Sequence, residues 1–175
     1  MTQELVDLRR SIVEGRYTDA LAIVDELEGM SRQAILRNIQ AFVRILLIHL
    51  IKNQLEQQLS NSWAASIRNS IVEIKRLNLK DNKTSYYLDL DEWDSTLEDE
   101  FESAIRDASV EVLNGSYSEF QISEMVDREQ VIMMARKLLR LTYSHTVKEL
   151  PAIVSESLTQ FPGGEDWKAG RKNSK

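Results

Sequence analysis

VRILLIHLIK, Val43 to Lys52, is the stretch that decides the fold. Branched aliphatics fill it, and its only charges are Arg44 and Lys52. Wound at about 100° per residue, Ile35, Leu36, Ile39, Phe42, Val43, Leu46, Leu47 and Leu50 make one broad stripe. Arg37, Arg44 and Lys52 fall on the far side, together with Ile45 and Ile48. A helix that is apolar nearly all round in its middle is a central one, touched from more than one direction. The spacing predicts a helix from Ser31 to about Leu59, roughly 42 Å long at 1.5 Å per residue. His49 falls beside Phe42 on the margin of the stripe, so it is either a core residue or part of a site.

Working outward, Ser60-Asn-Ser62 breaks the chain and supplies an N-cap. A second periodic helix follows, with Trp63, Ile67, Ile71, Ile74 and Leu77 inward. So short a link favours an antiparallel hairpin. Towards the N-terminus, Leu5, Leu8, Ile12 and Val13 keep helical spacing up to a C-cap at Gly15. Thr18 or Asp19 then caps a short helix carrying Leu21, Ile23, Val24 and Leu27, which Gly29 is expected to end. GRYTDAL, Gly15 to Leu21, resembles a tetratricopeptide turn. No second copy follows at the period of about 34 residues, which argues against an array.

Downstream, residues 78–94 read as a loop of about 17 residues, long enough to be functional or an ordered excursion. Ser95 to Glu98 forms a capping box for a helix with Leu97, Phe101, Ile105, Ala108 and Val112 inward, ending near Gly115. SYSEFQIS is a further loop. From Ser123 a long helix is expected to about Leu150, with Val131, Met134, Leu138, Leu141 and His145 on one face. Pro151 opens a last short helix, and PGGEDWKAGRKNSK reads as a mobile tail. The expectation is an all-α bundle of about five to seven helices around a long antiparallel hairpin. It forms a single domain over residues 1–161, with the tail at 162–175.

The 175 residues suffice for a substantial core. Six Gly and two Pro leave few breakers, which favours long helices. The absence of Cys excludes disulfides, thiolate metal sites and a Cys nucleophile, and suits a reducing compartment. No apolar signal-peptide core follows the first basic residues. The longest apolar run, Ala41 to Ile51, is shorter than the roughly 20 residues of a bilayer span. A cytoplasmic protein without membrane contact is therefore expected. The net charge of −6 is uneven: Asp89, Asp91, Glu92, Asp94, Glu98, Asp99, Glu100 and Glu102 lie together with no base among them. The rest of the chain is then mildly basic, too little for a nucleic-acid binder.

Chemistry is sparse. The two histidines form no H-E-x-x-H arrangement. As a calcium loop the acidic run fails, because Trp93 stands at the fifth position and Asp94 where a Gly must turn. Glu98 and Glu102 share a helical face that could hold a cation, yet a solvated acidic helix start explains them equally. No G-x-S-x-G elbow and no glycine-rich phosphate loop occurs. No metal or cofactor is expected. His49 reads first as a core-margin imidazole bonded across the hairpin, and Arg68 as an ion-pair partner for Glu26 or Asp25.

Several of these residues carry a family resemblance. Gly15-Arg16-Tyr17, Glu26-Leu27-Glu28, the helix with Leu46, His49, Leu50 and Lys52, and the helix with Ser62, Trp63 and Ile67 resemble the hallmarks of the domain-of-unknown-function 29 family. The resemblance spans about Leu5 to Leu77, with a looser match over Glu98 to Val112. The family's proline-rich end is replaced here by the helix expected from Ser123. The resemblance implies a bacterial, all-helical protein without an assigned reaction, in which Arg16, His49, Lys52 and Trp63 form one recurring unit.

Three functional expectations follow. The first is a non-enzymatic interaction or regulatory module that binds a basic protein, as an antitoxin would. Its surface is Asp89, Asp91, Glu92, Asp94, Glu98 and Asp99. The second is a structural homo-oligomer joined through Ile45 and Ile48. The third is an enzyme with a His49-centred pocket for a small anion or metal, drawing on Glu26, Lys52, Trp63 and Arg68.

Overall fold

α1 (Gln3–Val13) ends at Gly15, whose φ of 73° lets the Arg16 amide return to the Ser11 carbonyl at 2.8 Å. α2 (Tyr17–Glu56) then runs unbroken for 40 residues. The break expected at Gly29 does not occur. Strong helix formers flank that glycine, and one Gly costs only about 1 kcal/mol against Ala within a helix. The structure, a computed structural model, describes residues 2–171.

The chain divides into two compact units, residues 1–38 and 39–175. Among the described residues of the first, only Ser11 and Ala20 are buried, while Leu5, Ile12, Val13, Tyr17, Leu21 and Met30 are exposed. The second holds the core. There Ile39, Val43, Leu46, Leu47, Leu50 and Ile51 of α2 are fully enclosed, which is where the apolar girdle of Val43 to Lys52 leads.

α3 (Asn61–Asn78) is capped by Ser60, whose hydroxyl accepts from the Trp63 amide at 3.1 Å, as the sequence predicts. It packs chiefly on α6 and α7. Ile67, Ile71 and Ile74 are buried, while Trp63 and Leu77 stay partly exposed. The segment after it is an ordered excursion. Asn78 fixes it with both ends of its amide, donating to the Leu88 carbonyl at 2.9 Å and accepting from the Leu88 amide at 2.7 Å. A short 3₁₀ turn, Leu90–Glu92, leads into α4 (Trp93–Ser109). This helix therefore starts before the box predicted at Ser95, with the Asp89 amide donating to Glu92 Oε1 at 3.1 Å.

The single helix expected from Ser123 is two. α5 (Glu119–Met125) is capped by Ser118 inside the expected loop, and α6 (Arg128–Ser144) is capped by Asp127. The cause is tertiary. The buried Gln54 side chain accepts from the Asp127 amide at 2.9 Å in place of a helical bond, and donates to the Asp127 carbonyl at 3.0 Å beside the Val131 amide. His145 is the extended C-cap of α6 and does not extend its buried face. α7 (Leu150–Leu158) carries Pro151 in its first turn, and α8 (Gly164–Ala169) forms where a tail was expected. Gly163 and Gly164 allow it to dock. A Cβ at Gly164 would lie 2.2 Å from the Leu158 carbonyl, and one at Gly163 would lie 2.5 Å from the Gln58 Cα. Residues 172–175 of the expected tail lie outside the described residues. The described chain is all-α, with eight helices and one isolated β-bridge between Leu79 and Tyr86.

Candidate functional site

Lys52 is the least expected residue of α2. Its side chain is 7% exposed, yet it is an ammonium. Two contacts make this tolerable: an ion pair with Glu111, and the Trp63 ring, whose centroid lies 5.2 Å from Nζ. One turn before it on the same helix, His49 is half-buried, and its Nδ1–H donates to the Ile45 carbonyl at 2.9 Å. That bond fixes the tautomer and leaves the Nε2 lone pair without a partner among the described residues. Nε2 is not sealed in, since among the described residues Asn53 Oδ1 is the buried side-chain atom that lacks a partner.

The electrostatics are consistent. Burial, then the charge of Lys52, pushes the His49 imidazole below its ordinary value, against the opposing pull of the Ile45 carbonyl. The hydrogen bond and charge of Lys52 hold the Glu111 carboxyl below the usual carboxylate range. At neutral pH the cluster is thus a neutral imidazole with an open ring nitrogen beside an internally compensated ion pair. Such a group can accept a hydrogen bond or take up a proton.

Of the five residues predicted to cluster, the structure joins Lys52 to Trp63 and sets His49 beside them. Arg68 donates to Ser155 Oγ at 3.2 Å, so its bond goes to α7 and not to Glu26 or Asp25. Glu26 is exposed in the first unit. Glu111 completes the cluster and was missed, since nothing in its local sequence sets it apart from other surface acids.

The acidic run is met by arginines from elsewhere. Arg128 binds both Glu98 and Glu102 at 2.7 Å, and lies over the Phe101 ring at 4.4 Å. The shared cation of that helical face is therefore a guanidinium. Arg136 pairs with Asp94, and Arg44 with Glu100 at 3.0 Å. Four of the eight carboxylates are thus taken up, while Asp89, Asp91, Glu92 and Asp99 stay exposed without an ion pair among the described residues. No group of three or more metal-ligating side chains occurs among the described residues.

A second polar cluster, also missed, clamps the 79–92 excursion. The Tyr143 hydroxyl donates to the Leu88 carbonyl at 2.6 Å and accepts from Trp93 Nε1, and burial pushes its pKa up to about 12. Lys75 reaches the Tyr86 hydroxyl at 2.8 Å and the Thr142 carbonyl. Beyond it, a cavity of about 570 Å³ is lined by Asp89, Leu90, Trp93, Asp94, Arg136 and Arg140, among others. The clamp holds a loop in place and presents no open reactive group.

By length and hydropathy α2 also contains a window that could cross a membrane, a third of it buried in the chain.

An all-helical chain with one open imidazole beside a compensated lysine defines a class of scaffold rather than a reaction. Residues 13–135 match the model of the domain of unknown function DUF29, and the chain belongs to that family. The match runs past the hallmarks at Gly15 to Leu77, through α4 and α5 into α6. No curated protein and no solved structure matches the chain.

Proposed function

We propose that the protein is a non-enzymatic interaction module of the cytoplasm whose docking element is the first unit. One observation carries this reading: among its described residues, this 38-residue unit buries only Ser11 and Ala20 and leaves six large apolar side chains exposed. Val13 is 79% exposed, Tyr17 65% and Leu21 64%. Exposed apolar residues gathered on one small element mark an interaction surface. α1 is also too short to be stable alone, since isolated helices below about 12–15 residues are marginal in water. A protein partner that covers this unit supplies what the chain does not.

The acidic surface is the lesser candidate. Three arginines already neutralise half of it, and only Asp89, Asp91, Glu92 and Asp99 are left for a basic partner. The membrane reading of α2 has little support, because Val43, Leu46, Leu47, Leu50 and Ile51 are fully enclosed and Arg44 is paired to Glu100.

The test is affinity capture of the tagged chain from its own cells. The Val13→Asp/Leu21→Asp variant should lose the partner, and His49→Asn should keep it. The opposite result, capture lost with His49→Asn alone, would move the function to the imidazole. Recovery of the chain in the membrane fraction after a high-salt wash would overturn the cytoplasmic assignment.

A further inference from the structure

Every residue from Glu28 to Ala34 is exposed, so about two turns of α2 stand open to solvent on all sides. The charges around them are open as well. Asp25, Glu26, Glu28, Arg32 and Arg37 are all exposed, and none has an ion pair or side-chain hydrogen bond among the described residues. Arg16, Arg44, Arg76, Arg106, Arg128 and Arg136 are each paired with a carboxylate, whereas Arg9, Arg10 and Arg140 share the open state of Arg32 and Arg37 among the described residues. The unpaired charges are also ordered, acids before Gly29 and bases after it.

Helical spacing of three and four places Ile23, Glu26, Met30, Ala34 and Arg37 in one row. Met30, 51% exposed, stands near its middle, with one acid towards one end and one base towards the other. From Glu26 to Arg37 such a row is complementary to itself run backwards. Laid antiparallel about a two-fold axis between Ser31 and Arg32, it sets Glu26 opposite Arg37 of a second copy, and Arg37 opposite that copy's Glu26. Two reciprocal ion pairs then flank an apolar centre, about 16 Å apart along the helix at 1.5 Å per residue. This is the isologous pattern that closed two-fold dimers require.

We propose that two copies of this chain associate antiparallel through the Glu26–Arg37 row of α2, locked by reciprocal Glu26–Arg37 pairs. The proposal rests on the reading of the first unit as the docking element and names a second copy as its occupant. The row lies on a different side of α2 from Leu21, so another protein can still reach Leu21 and Val13.

Charge exchange tests it, read as molar mass by light scattering and sedimentation, with circular dichroism confirming unchanged helix content. The wild-type chain is expected to dimerise. Glu26→Arg sets arginine against arginine at both pairs, and Arg37→Glu sets glutamate against glutamate. Each should raise the dimer dissociation constant at least about tenfold. An equimolar mixture of these two variants should re-form the dimer, and so should the double variant E26R/R37E. A wild-type chain that stays monomeric at high concentration overturns the proposal. A dimer indifferent to both single variants, or one that neither the mixture nor the double variant restores, overturns it as well. These outcomes leave the capture experiment untouched, because Val13 and Leu21 are not in the row. Capture that depends on Val13 and Leu21 without dimerisation sinks only the second copy as partner, and dimerisation without such capture sinks only the module reading.

Discussion

At the scale of single residues, Lys52 shows how a charge can stand where an aliphatic is expected. Its ammonium is enclosed, so its stability depends on the one carboxylate that reaches it. Removing that carboxylate leaves a buried charge uncompensated, whereas removing the charge itself leaves a packed apolar stem. Glu111→Gln is therefore expected to cost about 1–2 kcal/mol in denaturant unfolding, and Lys52→Met less than about 1 kcal/mol. A larger cost for Lys52→Met would mean that the ion pair is a net source of stability.

The neighbouring His49 adds a pH dependence of definite sign. Its folded pKa lies below the ordinary 6.5, so the unfolded chain takes the proton first as pH falls. The stability it contributes is complete above pH 6.5 and declines as pH falls through the folded value. Glu111 acts in the same direction from about 4.5 downward. The stability difference between wild type and His49→Gln should therefore shrink as pH falls below 6.5. Imidazole signals of His49 should titrate with a midpoint below that value in NMR. A midpoint above it would contradict the burial that surrounds the ring.

At the scale of elements, the helices that the sequence made legible are those whose periodicity is also their burial pattern. Ile67, Ile71 and Ile74 on α3 and Leu97, Phe101, Ile105 and Ala108 on α4 are inward, as their spacing requires. What could not be read was decided by partners distant in sequence. Gln54 splits α5 from α6 across 73 positions of chain, and Asn53 ties the Pro162 carbonyl at 2.7 Å to hold the segment that becomes α8. The candidate site divides in the same way. His49, Lys52 and Trp63 lie on two strongly periodic helices and could be named, whereas Glu111 joins them from an irregular turn.

Two glycines test this distinction between local and tertiary control. Gly164→Ala would drive a Cβ into backbone carbonyls and should destabilise by about 1–3 kcal/mol, or release α8 to proteolysis. Gly29 has nothing within 4 Å of its missing side chain, so Gly29→Ala should stabilise α2 by about 0.5–1 kcal/mol. Hydrogen exchange of the amides around residue 29 measures the second effect. No gain there would mean that another chain packs against that glycine.

At the scale of the whole molecule, the two units differ in the physics that holds them. Residues 39–175 bury aliphatics from α2 through α7, clamp the 79–92 excursion through Asn78 and Tyr143, and absorb half of their acidic run with arginines. Residues 1–38 have a tight turn at Gly15 and ion pairs from Arg16 to Glu14 and Asp19, but almost no interior among those described. Exposed pairs of that kind are screened by solvent and contribute little to stability. Opening of the first unit is therefore expected to be local and to need far less free energy than unfolding of the second. Native-state hydrogen exchange reads this directly. In dilute protein, the amides of α1 should exchange through openings of about 0–2 kcal/mol, while those of α4 and α6 report global unfolding. Raising the protein concentration should slow exchange along residues 23–37 if copies pair there, and leave α4 and α6 unchanged. Equal protection of α1 and α6 in dilute solution would show that the first unit is stabilised without a partner, and the reason to assign it a docking role would be gone.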